Sequence, residues 1–208
     1  MDLMAARRRI LMDTGQLPPI YRPVEYLESS GTQYIDTLVS GGGSTTYPAY
    51  VLDFMPLDST RTYQQYLCGV EQPSSIPKVY REGKSRPLAL YSGTGFYPTN
   101  AQNLYSFGVR YVVSASDAGI TIDGSVVSFP AVSGGGWGSM TWYIFSSHKE
   151  STLKSNMRLY GLKMYTDGQM IRDYIPCVRL RDSKPGLYDM VNNQFFTNSG
   201  TGDFIIPT

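Results

Sequence analysis

One histidine, two cysteines and a formal net charge of only +1 mark this 208-residue chain by what it has little of. Every Ser/His/Asp or Cys/His arrangement would have to use His148, which sits in the polar run Ser146 to Glu150 just after the aromatic stretch Trp142 to Phe145, the setting of an exposed loop residue. Cys68 and Cys177 are too few for a disulfide framework and lack the close spacing of a zinc site. Two buried free thiols is the reading, with one bridge between distant strands as the alternative. A charge of +1 makes no field for phosphate backbones and no basic stripe appears, so nucleic acid is excluded as an expected partner. No apolar run is long enough to cross a bilayer, which excludes membrane insertion from the expectation. The glycine runs at 41–43 and 134–136 lack a Lys-Ser/Thr ending and a following helical pattern, so they are read as flexible loops and not phosphate cradles.

What the chain does have is 21 Gly, 13 Pro and 17 Tyr, with 41% hydrophobic and 17% charged residues, a composition of short strands joined by tight turns. In Ala49 to Met55, Leu52 and Phe54 share one face while Asp53 points away. Tyr66, Cys68 and Val70 repeat the alternation. Leu104 to Ala115 reads as one long strand, with Val109, Tyr111, Val113 and Ala115 on one side and Arg110 and Ser114 on the other. Asp123-Gly124 and Asp167-Gly168, each between apolar strand-like runs, supply the positive φ angles of a two-residue hairpin. Short antiparallel strands without a helix long enough for a crossover predict an all-β fold of two sheets packed face to face.

Residues 1 to 19 differ. Leu3, Met4, Ile10 and Leu11 recur at helical spacing around Arg7-Arg8-Arg9, and Gly15 with Pro18-Pro19 would end such a helix. A helix that short is marginal alone and needs a surface to dock on, so these residues are candidate anchors; a frayed leader is the other reading. Ile10-Leu11-Met12 is cut off by Asp13, so a secretory signal is not expected and the segment is read as retained on a protein made in the cytosol. The expected division is an arm over 1–20 and a β domain over 21–208.

Two segments carry a resemblance. Tyr26-Leu27-Glu28-Ser29-Ser30-Gly31-Thr32-Gln33-Tyr34-Ile35-Asp36-Thr37 opens the β region; Arg158-Leu159-Tyr160, Asp173-Tyr174-Ile175-Pro176-Cys177 and Gly186-Leu187-Tyr188-Asp189 close it. Together they resemble the laminin-G-like, concanavalin-A-like jelly rolls of gut-bacterial and phage genomes. The resemblance covers about residues 21 to 206 and implies a jelly-roll sandwich in which these residues are scaffold. It also implies a binding module: a structural or adhesion part of a phage particle, such as a head fibre, decoration or tail-associated protein, with the arm docked on other virion or surface proteins. The implied location is the virion, and such parts are usually homo-oligomers. A carbohydrate-binding, lectin-like module at a bacterial cell surface is the alternative.

The chemistry in the sequence points the same way. Glycoside hydrolases of this architecture need a nucleophile and an acid about 5 Å apart in retaining enzymes, which residues two or four apart on one strand provide. Glu25 and Glu28 are three apart, and Asp123 and Asp167 belong to turns. The expectation is therefore no catalytic residue and no enzyme. No cofactor is implied. Calcium is the one metal that laminin-G-type modules often bind; Asp58, Asp117 and Asp182 fall in loop-like stretches, but their spacing defines no site. Sugar recognition needs an aromatic platform with polar neighbours. Trp137 among its glycines, and Phe96, Tyr97 and Asn100 in the loop-like run Thr94 to Asn100, have that composition, and each aromatic could equally cap the core.

Overall fold

The computed structural model of the chain describes residues 16–40, 48–57, 65–70, 78–82, 86–92, 95–98, 106–116, 119–127, 141–147 and 153–208; at 78–98, 119, 120 and 127 the description is of the backbone. The described residues are all β. Strands β1 (Tyr21–Pro23), β2 (Leu27–Ser30), β3 (Ile35–Ser40), β4 (Ala49–Pro56) and β5 (Gln65–Gly69) come first. Then follow β6 (Lys78–Glu82), β7 (Arg86–Ser92), β8 (Gly95–Pro98), β9 (Tyr111–Ser116), β10 (Gly119–Ile122) and β11 (Ser125–Val127). Last are β12 (Thr141–Ile144), β13 (Asn156–Thr166), β14 (Gln169–Arg179), β15 (Lys184–Asp189) and β16 (Gln194–Thr197). They form two antiparallel sheets. A ten-stranded sheet runs β11-β10-β9-β4-β13-β14-β15-β16, with β2 added on β13 and β1 on β14; a six-stranded sheet runs β3-β12-β5-β6-β7-β8.

Alternation decides what each face does. In β4, Tyr50, Leu52 and Phe54 point to the other sheet, as do Tyr111, Val113 and Ala115 of β9 and Leu162 and Met164 of β13. Ile35, Leu67, Trp142 and Ile144 come from the small sheet to meet them, and the Tyr50 and Trp142 rings lie 5.7 Å apart between the layers. Burying each such side chain contributes about 1.5–3 kcal/mol, so this shared apolar layer makes the two sheets a sandwich. Both Asp-Gly hairpins are present: Asp123 and Gly124 have φ of 49° and 81°, Asp167 and Gly168 of 51° and 75°, the two successive positive values of a type I′ turn.

The two ends of the β region meet. Gln33, 4% exposed, receives hydrogen bonds on Oε1 from Ser30 N (2.9 Å) and Ser29 Oγ (3.1 Å), and its amide donates to the Asp203 carbonyl (3.2 Å). Tyr34 N donates to Asn198 Oδ1, and β2 pairs with β13 at Leu27↔Leu159 and Glu28↔Arg158. In the closing segment, buried Asp189 accepts from the amides of Asp173 (3.1 Å) and Val191 (3.0 Å) and from Asn192 Nδ2 (2.8 Å), locking the β15–β16 turn to β14. Gly186 allows the Phe195 ring to cross the sheet, because a Cβ there would lie 2.6 Å from Phe195 Cζ and 2.2 Å from the Phe196 carbonyl oxygen.

Three sequence readings need correction. The strand expected over 104–115 begins at Tyr111: Gly108 takes φ 74° in a turn, Ser106 N donates to the Tyr111 hydroxyl (2.7 Å), and Val109 is left 46% exposed instead of joining the inward face. Residues Gly95–Pro98, read as part of a loop, are strand β8, with Tyr97 opposite Leu90 and Phe96 opposite Tyr91. Tyr66 is only half-buried while Leu67 and Cys68 are both buried, because the pairing of β5 with β6 shifts register between Tyr66 and Cys68. Cys68 and Cys177 are free and buried, the first of the two readings the sequence allowed.

Candidate functional site

The large sheet has a second face, away from the core, and part of it is hollow. Outward residues of β4, β9, β13 and β14 floor a groove of about 970 Å³: Val51, Asp53, Val112, Ser114, Gly161 and Lys163 are among them. One wall is the chain entering the fold, where Gln16, Leu17, Pro19, Tyr21 and Val24 line the opening. That wall is fixed by β1, paired on β14 with Tyr21 opposite Arg179, and by Tyr21 packing on Tyr188 (4.7 Å between centroids) and Phe195 (5.2 Å).

Two ion pairs interrupt the apolar floor. Arg110 grips Asp53 through two parallel hydrogen bonds, Nε to Oδ1 at 2.7 Å and Nη2 to Oδ2 at 2.8 Å, and Asp53 is only 4% exposed. The Arg110 guanidinium also lies 3.7 Å from the centroid of Tyr160, which packs edge-on against Tyr26. The second pair is Lys163 Nζ to Asp173 Oδ2, 3.0 Å, with Asp173 7% exposed. Burial raises the Tyr160 phenol above its ordinary value against the opposing pull of Arg110, so the ring presents a neutral hydroxyl at neutral pH.

Between the pairs the floor is open. Asp53 faces Gly161 across β4 and β13, and Lys163 faces Asp173 across β13 and β14. Two strand spacings of about 4.8 Å and two residues of about 3.3 Å put the Asp53 and Asp173 Cα atoms about 12 Å apart. At Gly161, a Cβ would meet only the Tyr174 carbonyl oxygen at 3.6 Å, an ordinary contact, so the glycine is not demanded by packing and its missing side chain deepens the groove. An arrangement of apolar strips, tyrosines (Tyr21, Tyr160 and Tyr165 among them) and fixed polar groups can bind an amphipathic ligand of a few rings.

Of the residues proposed from sequence, Phe96 and Tyr97 lie elsewhere. Phe96 and Tyr97 are in β8 at the far edge of the small sheet. Trp137, Asn100, His148, Asp58, Asp117 and the anchor candidates Leu3, Met4, Arg7, Arg8, Arg9, Ile10 and Leu11 fall outside the described residues. Asp182 is held by Arg179 Nη2 at 2.7 Å in an exposed turn, and among the described residues no group of three His, Cys, Asp or Glu could hold a metal ion. No helix among them is long and apolar enough to cross a membrane. The groove is not legible along the sequence because its polar residues come from β4, the approach to β9, β13 and β14. One signal was available: a lone Asp in the apolar strand Ala49 to Met55 must find a partner if that strand is covered.

Fold and groove together define an all-β sandwich with a ligand-sized hollow on the outer face of its larger sheet. No family model matches the chain, and no curated protein matches it. Among solved structures it is similar to sialidases of Trypanosoma rangeli. One bound to 2,3-difluoro-KDN shares 17% identity over 60% of this chain and 21% of its own, with a TM-score of 0.44. Another shares 13% over 73% and 27% (TM-score 0.45), and one with the inhibitor DANA 14% over 81% and 36% (TM-score 0.45). The chain thus spans between a fifth and about a third of their lengths, and likeness at this level carries no argument about ligand or reaction.

The expectation that the chain is not an enzyme is withdrawn, the sialidases named above being enzymes. Its physical ground was also too narrow. It rested on finding no paired carboxylates along a single strand, whereas Asp53 and Asp173 reach one groove from β4 and β14 with β13 between them.

Proposed function

We propose that this chain is an adhesion module of a phage particle, a β-sandwich body that recognises carbohydrate on a bacterial surface through the groove of its large sheet. The observation that carries the reading is the groove itself: about 970 Å³, walled by tyrosines and apolar strips, lined by the Lys163–Asp173 pair and by Asp53, which Arg110 holds from beside it. A pyranose offers the matching surface, an apolar face of C–H groups edged by hydroxyls. The particle setting is supported by the resemblance of the end segments to jelly rolls of phage and gut-bacterial type. Residues 1–15 precede the groove wall at Gln16, which suits an anchor on a neighbouring virion protein, in an assembly of several copies.

Gly161→Phe tests the groove without attacking the fold, since the new Cβ meets only one atom at ordinary contact distance. Calorimetric titration of the full chain with polysaccharide from host surfaces should show binding that Gly161→Phe reduces at least tenfold, with the thermal midpoint unchanged. Undiminished binding by the variant refutes the groove. Absence of the chain from purified particles refutes the setting.

A further inference from the structure

Each of the two carboxylates that line the groove already holds a cation, and that bears on which carbohydrate it takes. Among the described lining residues the charged groups are Asp53, Asp173 and Lys163; Asp53 is held on both oxygens by Arg110 from beside the groove, Asp173 is held by Lys163, and Glu25 adds a further negative charge near Arg110 and Tyr160, so the site has no cation left over for an anion. An acidic sugar would place its carboxylate or sulfate beside two buried carboxylates and would have to draw Arg110 or Lys163 away from a partner 2.7–3.0 Å off. Breaking a buried pair leaves an uncompensated charge, a penalty of several kcal/mol. A cationic sugar meets the mirror of the same obstacle. A neutral polyol disturbs neither pair: its hydroxyls donate to remaining lone pairs of the carboxylates and accept from an ammonium that carries three N–H donors. Fixed ionised groups also keep the hydroxyl contacts strong, because bonds to them are about twice as strong as neutral ones.

We infer that, within the carbohydrate-binding reading proposed above, the groove selects neutral hexose- or pentose-based glycans and rejects acidic ones, with the Lys163–Asp173 and Arg110–Asp53 pairs acting as hydrogen-bonding groups for hydroxyls.

The full chain is titrated with neutral oligosaccharides (gluco-, galacto-, manno- and xylo-oligomers) and with acidic ones (oligogalacturonate, alginate oligomers, sialyl-lactose), at low and at high salt. The expected result is binding of at least one neutral series with an affinity that changes less than twofold between roughly 0.05 and 0.5 M salt, since no counterion is displaced, and no acidic series within tenfold of it. Asp173→Asn leaves Lys163 uncompensated and should narrow the neutral-over-acidic preference at least tenfold. The double variant Lys163→Met/Asp173→Leu removes one charge of each sign and should lose at least tenfold in neutral-glycan affinity with its fold retained by circular dichroism. Acidic glycans bound tightly by the natural chain and lost in Gly161→Phe would overturn neutral selection while upholding the groove. Binding of neither series, or binding indifferent to Gly161→Phe, would overturn the carbohydrate reading and this inference with it.

Discussion

Two glycines of the closing segment show how differently one residue type can matter. Gly168 has φ 75° with open space where a Cβ would be, so Gly168→Ala should cost only the left-handed strain, about 1–2 kcal/mol. Gly186 has no such φ, yet its Cβ would press into the Phe196 carbonyl and the Phe195 ring; Gly186→Ala should cost about 1–3 kcal/mol and also disturb the ring packing under Tyr21. Urea melts of both variants, with near-ultraviolet circular dichroism to follow the ring, separate the two mechanisms: only Gly186→Ala should change the aromatic signal. The thiols make a second residue-scale prediction. Burial pushes Cys177 up to about 12 and Cys68 higher, the latter against a hydrogen bond with Trp142 that lowers it. Neither should react with a thiol reagent at about pH 8 in the folded chain, and both should in denaturant. Because the folded value is raised, the stabilisation from the neutral Cys177 thiol is whole below the ordinary thiol range near 9 and is lost as pH rises through about 12. Urea melts across that window should show a decline that Cys177→Ala reduces.

At the scale of elements, the strand order and the turns were legible for different reasons. Asp-Gly dipeptides between apolar runs announce their hairpins through a local requirement on φ, and alternation in β4 announces its inward face. What lay beyond sequence was register. Counting outward from the Asp167-Gly168 turn sets Lys163 against Arg172, a like-charge pair; a bulge between Met164 and Tyr165 shifts the ladder by one residue and sets Lys163 against Asp173. A second shift between Leu159 and Gly161 aligns Gly161 with Asp53. The groove's polar floor is thus made by irregularities, which a strict period of two cannot foresee. Strand β1, three residues long, could not hold to β14 by its ladder alone, and Tyr21 stacked on Tyr188 and Phe195 supplies the rest. Tyr21→Ala should therefore speed amide hydrogen exchange at Tyr21 and Leu180, whose N–H groups bond Pro18 and Ile20, at least tenfold, while protection in β4 and β13 stays. Equal loss of protection in all strands would show that β1 is no separate clasp.

For the molecule as a whole, the all-β two-sheet architecture followed from composition and alternation, and the end segments proved to be the parts that tie the sandwich shut: the Ser29–Gln33 network and the Asp189 turn. The site did not follow. Sugar platforms are often aromatic loops, whereas this groove is assembled by four strands and the entering chain, and no two of its ion-paired residues are neighbours in sequence. Its partners reached each other through topology: β4 and β9 adjacent, β13 between β4 and β14.

The most direct test is to titrate the isotopically labelled full chain with the tightest-binding oligosaccharide and follow its backbone amide resonances. The account predicts the largest shifts at Val51, Asp53, Gly161, Lys163 and Asp173. Shifts confined to residues 95–100 and to the surroundings of Trp137, with those five unmoved, would contradict it.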